Sequence, residues 1–264
     1  MWQAKRHQRI RALLETFGQV SIDRIVTELG VSRETVRRDL KELEEAGALR
    51  RVHGGIVPSH AENEAPYPER TRQNLREKRA IAGACLGLVS PGQTLLIDAG
   101  STTACLAGQL AGLSGLLVFT NSVEVANHLS TATSRARQNR AILFGGDFIS
   151  APASTCGMTT LAAIANVRAD IAFSSPYGLS AADGATSMLV EEAEIARAVF
   201  ASATRRILLA DGSKLGRCGR ISFASAGEPD HIIMDAAAQE HPHFTLLQEK
   251  SGNRIICAGA ETPQ

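Results

Sequence analysis

At 264 residues, with 44% apolar and 21% charged side chains, the chain falls in the range of ordinary globular proteins and is long enough for one large domain and a small one. A formal net charge of +1 argues against a molecule coated in positive charge, although residues 1–57 hold 11 Lys and Arg against 8 Asp and Glu, a mild basic excess at the amino end. Cys85, Cys105, Cys156, Cys218 and Cys257 form no C-x-x-C pair and no zinc-ligand spacing, so a reduced, cytoplasmic chain without metal or cofactor is expected. The charged start and the lack of any 18-residue apolar run speak against secretion and membrane spanning.

Ile10, Leu13, Leu14 and Phe17 recur at the spacing of one helical face, and Gly18 follows where helices commonly stop. Ser21 is placed to cap a short second helix with Ile22, Ile25, Val26 and Leu29 inward, and Gly30 to end it. After the Gly30-Val31 turn, Ser32 is placed to cap a third helix reaching about Ala46, with Val36, Leu40 and Leu43 inward and Gly47 closing it. Residues 48–57 then read as two short extended pieces around Gly54-Gly55, a small β-wing. Residues 58–74 carry three prolines and no periodicity, which reads as a linker between residues 1–57 and a second domain at 75–264.

Beyond Leu75, helical segments alternate with short apolar strands. Helices are expected at 75–89, 102–110, 123–129, 159–165 and 191–203, and strands at 94–97, 116–119, 141–144, 171–173, 207–209, 231–234 and 255–257. The alternation implies an α/β domain whose mainly parallel sheet is covered by helices on both faces.

On the third helix, Arg33, Glu34, Thr35, Arg37, Arg38 and Lys41 lie off the apolar stripe, and four of the six are cationic. A helix fits the major groove of B-DNA, where Arg pairs with guanine edges and Lys or Arg neutralises phosphates. The early residues of a second helix approach base edges. Arg33, Thr35 and Arg37 are therefore assigned to the groove, and Ser32, Arg38 and Lys41 mainly to phosphates. Arg50, Arg51 and His53 on the wing supply a second cationic surface, with a plain hairpin turn as the alternative reading of the wing glycines.

The run Val31-Ser32-Arg33-Glu34-Thr35-Val36-Arg37-Arg38-Asp39-Leu40, followed by Leu43-Glu44 and Leu49-Arg50-Arg51-Val52-His53-Gly54-Gly55, resembles the amino-terminal domain of the DeoR family of bacterial regulators. The resemblance implies a winged helix-turn-helix that binds operator DNA, most often as a repressor, with an effector domain behind it. Asp39 reads as structural, an ion pair ordering arginine neighbours.

In the second domain, strand 94–97 runs into Asp98-Ala99-Gly100-Ser101-Thr102-Thr103 and then a helix. Unpaired N–H groups at a helix start, the helix dipole, a close-approaching Gly100 and three hydroxyls together suit a phosphate or carboxylate, while simple Ser/Thr capping explains the same residues. Thr120-Asn121 and Gly145-Gly146 follow two further strands, and ligands of open α/β sheets bind beyond strand carboxyl ends. Tight turns are the alternative for the two glycines. Lys214, after strand 207–209, is a point cation for a phosphate. These elements, with the helix around Glu191-Glu192-Ala193-Glu194, resemble the DeoR-type sensor, which is similar in its Rossmann-like fold to ribose-5-phosphate isomerases and responds to phosphorylated sugars. By that resemblance Asp98, Gly100, Ser101, Thr102, Thr103, Thr120, Asn121, Gly145, Gly146 and Lys214 are the expected effector contacts. The chain departs from the family at Ala99-Gly100-Ser101, where Ser-Gly-Thr is usual, and at Ser175-Pro176-Tyr177, where Tyr177 either stacks on a ligand or packs beneath its loop.

The expected partners are double-stranded operator DNA, a phosphorylated sugar or related anion, and further copies of the chain as a homodimer or homotetramer. The competing reading is a sugar-phosphate isomerase fused to a DNA-binding domain, with Asp183, Glu192 and Lys214 as acid-base candidates, although their spacing forms no motif.

Overall fold

The computed structural model describes residues 2–17, 20–46, 48–52, 55–58 and 64–259. It divides into two compact units, Met1–Ala65 and Pro66–Gln264. In the first, the three periodic segments form α1 (Gln3–Phe17), α2 (Ile22–Leu29) and α3 (Arg33–Glu45), followed by a hairpin of β1 (Leu49–Val52) and β2 (Gly55–Pro58). Ser21 Oγ accepts the Arg24 amide at 3.2 Å, and Gly30 ends α2 at φ +61° with its N–H on the Val26 carbonyl. The inward residues Ile10, Leu14, Ile25, Val36, Leu40 and Leu43 are almost wholly buried together.

Gly55 has a more specific task than relaxing a turn. Val20 and Ile56 exchange two 2.9 Å backbone hydrogen bonds, and a Cβ on Gly55 would run into the Val20 carbonyl. The glycine thus lets the wing lie against the strand-like residue before α2. Gly54 and His53 lie outside the described residues, as do Gly18 and Gly47.

The charged exception in this core is Asp39. It is completely buried on the inward side of α3, where Arg6 from α1 holds it in a fork: Nε to Oδ2 at 2.6 Å and Nη2 to Oδ1 at 2.8 Å. The partner is therefore Arg6, 33 residues away in sequence, and not the neighbouring Arg37 or Arg38. His7 Nε2 lies 3.5 Å from Oδ1. Burial works against the Asp39 carboxylate, but the Arg6 hydrogen bonds and charge outweigh it and hold its pKa below the ordinary range.

The second unit opens earlier than the expected boundary. Residues 66–74 form no linker: Pro66 caps and Pro68 enters a one-turn helix, α4 (Tyr67–Arg70), because proline's missing N–H costs nothing in a first turn. There follow α5 (Leu75–Leu86), β3 (Thr94–Ile97), α6 (Ser101–Leu110), β4 (Leu117–Thr120), α7 (Val123–Leu129), α8 (Ala132–Ala136), β5 (Arg140–Leu143), β6 (Asp147–Ser150), β7 (Ala153–Cys156) and α9 (Gly157–Ala165). The remainder is β8 (Ala169–Ser174), β9 (Gly178–Ser180), β10 (Gly184–Ser187), α10 (Val190–Ala201), β11 (Ala203–Leu209), β12 (Ile221–Ala224), β13 (His231–Asp235), α11 (Phe244–Ser251) and β14 (Ile255–Ala258).

Seven strands make one sheet in the order β14-β13-β11-β8-β3-β4-β5, and every neighbouring pair is parallel. Alternate side chains enter opposite cores, as both-face burial demands. Leu95, Ile97, Ile171 and Phe173 meet α5, α6 and α7, while Leu96, Ala172 and Leu208 meet α9, α10 and α11. The antiparallel sheet β12-β10-β9 and the β6–β7 hairpin are additions that periodicity did not announce. Among the described residues no helix is long and apolar enough to cross a membrane.

Removing one partner of the Arg6–Asp39 pair strands a buried charge, so Arg6→Ala is expected to lower the unfolding midpoint of the first unit by on the order of 10 °C. The apolar pair Arg6→Met with Asp39→Leu should recover most of that loss. Because the folded pKa of Asp39 is depressed, its contribution is present above the ordinary carboxylate pKa and lost as pH falls through the folded value. Circular dichroism melts of the three proteins between neutral and acid pH measure both effects; equal midpoints for wild type and Arg6→Ala would refute the assignment.

Candidate functional site

Helix α3 opens with Ser32, whose Oγ accepts the Thr35 amide at 3.2 Å and lies 2.8 Å from the Thr35 hydroxyl. With Val36, Asp39, Leu40 and Leu43 buried, helical geometry leaves Arg33, Arg37 and Lys41 on one exposed ridge at i, i+4 and i+8, with Arg38 exposed beside it. Thr35 is half-buried and its hydroxyl is already engaged with Ser32. The ridge is lightly tethered: Arg33 pairs with Asp23 on α2 at 3.1 Å, Arg37 with Glu34 at 4.0 Å and Lys41 with Glu45 at 3.7 Å, all exposed. Such pairs contribute roughly 0–1 kcal/mol and yield readily to a phosphate. On the wing, Arg51 binds Glu44 of α3 at 3.1 Å, so its guanidinium braces the wing against the helix. The side chain of Arg50 and all of His53 lie outside the described residues.

In the second unit the parallel sheet brings all strand carboxyl ends to one edge. From β3 the chain proceeds outward through β4 to β5, then returns to lay β8, β11, β13 and β14 on the other side, so the order reverses between β3 and β8. Ligands of open α/β sheets occupy the crevice at that reversal. Asp98, just past β3, and Ser174, the last residue of β8, are joined across it by a hydrogen bond from the serine hydroxyl to Oδ2.

Asp98 is about 6% exposed. Desolvation pushes its pKa up to about 8, the nearby Glu192 charge adds to the rise, and the Ser174 hydroxyl and Ser175 amide oppose it. That pKa favours the protonated, uncharged carboxyl at neutral pH. Asp98 Oδ1 and Asn121 Oδ1, at the ends of adjacent strands, are buried with no hydrogen-bond partner among the described residues. Asn121 is otherwise anchored, its amide donating to the Thr155 carbonyl at 2.9 Å.

Gly100 precedes α6 in an extended conformation and no side chain caps the helix, so the first N–H groups of α6 remain open. Of the three hydroxyls after Gly100, only Ser101 is partly exposed. Thr102 and Thr103 are buried, and Thr103 Oγ1 donates to the Asp98 and Gly100 carbonyls at 2.9 and 3.0 Å. Thr120 is buried as well, its Oγ1 accepting the Ser122 amide. Thr103 and Thr120 shape the turns from beneath. Gly146 has φ +155° and a Cβ there would overlap Thr160 Oγ1 and the Cys156 carbonyl, so close packing explains it; Gly145 faces open space. Lys214 follows β11 in a short 3-10 turn, its Nζ 5.8 Å above the ring centre of Tyr177. Tyr177 is itself buried, the packed alternative at that loop.

Sequence reasoning passed over Ser174 as a site residue, and also Asn74, Lys78 and Asp211, which gather beside Lys214. Ser174 and Asn74 bond partners 76 and 137 residues away, which no local motif announces, and Lys78 reads from sequence as one more helical cation. Of the acid-base set Asp183, Glu192 and Lys214, Asp183 bonds Ser180 in the β9–β10 turn, while Glu192 bonds Ser187 and acts on Asp98 through its charge. Among the described residues no three His, Cys, Asp or Glu are grouped to hold a metal ion.

Residues 6–61 match the DeoR-like helix-turn-helix domain family, and residues 73–236 match the DeoR C terminal sensor domain family. The chain is 32% identical over 259 residues to the glycerol-3-phosphate regulon repressor of Escherichia coli, covering 97% of this chain and 98% of that one. It is 33% identical over 236 residues to the HTH-type transcriptional regulator GlpR of Haloferax volcanii, covering 89% and 91%. Among solved structures, ribose 5-phosphate isomerase A of Methanocaldococcus jannaschii aligns at 16% identity and a TM-score of 0.40, over 55% of this chain and 56% of that one.

Asp98→Asn mimics the protonated acid permanently. A raised folded pKa stabilises the fold below the ordinary carboxylate value, and that stability is lost as pH rises towards about 8. The variant should therefore match wild type near pH 4 and melt progressively higher than wild type up to about pH 8, beyond which the gap is constant. A pH-independent difference in melting temperature would mean that Asp98 is ionised in the fold.

Proposed function

The chain belongs to the DeoR family of helix-turn-helix transcriptional regulators, and from this we infer that it represses carbohydrate-metabolism genes by binding operator DNA through α3, under control of a phosphorylated sugar or polyol. It is a regulator and not an enzyme. The observation that carries the DNA half is the exposed ridge Arg33, Arg37 and Lys41 with Arg38 beside it, on a helix whose opposite face is locked into a core. In this reading Arg33 and Arg37 address base edges, Ser32, Arg38 and Lys41 address phosphates, Thr35 steadies the helix start, and Arg51 and His53 extend the contact from the wing. Two copies acting on paired half-sites supply the selectivity that one short helix lacks, so the working form is a homodimer or homotetramer in the cytoplasm.

The effector half rests on the uncapped start of α6 at the strand-order reversal. Open N–H groups and the helix dipole favour an anion there, Ser101 adds a hydroxyl, and Lys214 adds a cation. Gly100 and Gly145 allow close approach. The unpartnered Asn121 oxygen asks for a donor and the protonated Asp98 carboxyl for an acceptor, and sugar or polyol hydroxyls supply both. Switching requires only that this ligand bind the DNA-competent and DNA-incompetent arrangements with different affinity.

A thermal-shift screen against phosphorylated sugars and polyols, with glycerol 3-phosphate included, is expected to give a stabilising hit that weakens in Lys214→Ala; a flat response to the whole panel would remove the effector half. For DNA, a duplex selected from a random pool by the wild-type chain serves as probe. Arg37→Ala should cost about 1–3 kcal/mol on that duplex and relax discrimination at one position, whereas Lys41→Ala should weaken all duplexes alike and reduce the salt slope by about 1. Uniform weakening by both variants would take Arg37 off the bases.

A further inference from the structure

The segment that carries the chain into the second unit is fastened at both of its ends. At its start, the Tyr67 hydroxyl donates to Glu124 of α7, and the Arg70 guanidinium lies 5.3 Å over the Tyr67 ring. At its finish, Asn74 Nδ2 donates to Asp211 Oδ1 at 2.9 Å and to Ser213 Oγ at 3.2 Å. Between these points Lys78 clamps it from below: Nζ is buried and donates to the Arg70 and Gln73 carbonyls. Burial lowers the Lys78 pKa, Asp211 opposes that, and Lys214 reinforces it, so the clamp and the effector loop act on each other electrostatically.

The path of this strap is defined by the sheet order. Glu124 follows β4 and Asp211 follows β11, so residues 67–74 run past the ends of β3 and β8, where the strand order reverses. Thr71 and Leu75 form one wall of a cleft of about 370 Å³ whose other walls include Ser101 and Cys105 of α6 and Glu124 and His128 of α7. The far end is held in a conformation that most residues avoid. Asn74 has φ +51°, and its exposed amide reaches the buried Asp211, which caps the turn that ends at Lys214.

We propose that Asn74 is a positioning residue that latches the strap to the Asp211–Lys214 loop, and that an anion arriving at this loop displaces the latch and thereby changes the affinity of the chain for DNA. The second clause rests on the effector reading above; the first does not. The chemistry is competitive. A phosphate drawn to Lys214 accepts the Ser213 hydroxyl that now donates to Asp211 Oδ1, and its charge repels the Asp211 carboxylate, so both acceptors that hold Asn74 leave their present positions. The strap continues without interruption into residue 65, so loosening it alters the tether of the DNA-reading unit.

The test uses the full chain, with the selected duplex as DNA and inorganic phosphate as the anion. Asn74→Gly keeps the left-handed backbone and removes the amide; Asn74→Asp sets a carboxylate against Asp211; Asn74→Asp with Asp211→Asn restores the bond with donor and acceptor exchanged. Without phosphate, both single variants are expected to change duplex affinity at least about fivefold in one common direction and to speed amide exchange over residues 67–78, and the double variant is expected to return both towards wild type. Faster exchange with duplex affinity unchanged, or a change that the exchanged pair does not reverse, overturns the latch. If the latch variants behave as expected but phosphate neither stabilises wild type nor shifts its DNA affinity towards theirs, the latch stands and its control by an anion fails.

Discussion

All seven strands of the large sheet run the same way, and the site depends on that direction. Parallel strands need crossovers, crossovers cover both faces with helices, and covered faces leave the strand ends as the place where polar groups meet. Here the ends of β3, β4, β8 and β11 bring Asp98, Asn121, Ser174 and Asp211 to a single edge. The hydrogen bond between Asp98 and Ser174 spans the one gap in that edge where the connections diverge, which makes the crevice a product of topology.

Burial decides which polar residues on the edge are available to a ligand. Thr103 and Thr120 satisfy backbone groups, so these two motif residues build the floor without reaching its surface. Ser101, Gly145 and Lys214 remain at least partly exposed, while desolvation raises the pKa of the buried Asp98 carboxyl and favours its neutral form. A neutral acid is compatible with an anion in a way that a buried carboxylate would not be.

In the first unit one buried charge plays the opposite part. Asp39 is kept ionised by Arg6, tying α1 to α3 and fixing the rotation of α3 about its own axis. With that side immobilised, the outward ridge presents its cations as a rigid set, and rigid presentation is what base reading requires. The weak exposed pairs of Arg33, Arg37 and Lys41 leave those cations free to be claimed by DNA.

The local chemistry of caps, turns and periodic faces determined much from sequence alone: the three helices and wing of the first unit, the major strands and helices of the second, and the anion-suited turn after β3. Helix, strand and turn positions involve neighbouring residues, so composition and spacing carry them, whereas what the turn after β3 binds is a matter of proposal. The short strands β9, β10 and β12 escape because three or four residues are too few to show a period, and the single turn of α4 reads as linker because prolines serve both. Only tertiary structure decided that Asp39 answers to Arg6, that Asp98 meets Ser174, that Thr103 and Thr120 face inward, and that Asn74 reaches Asp211 across 137 residues. Those pairings are set by packing of distant elements, and the energy of a buried polar group depends on what packing places beside it.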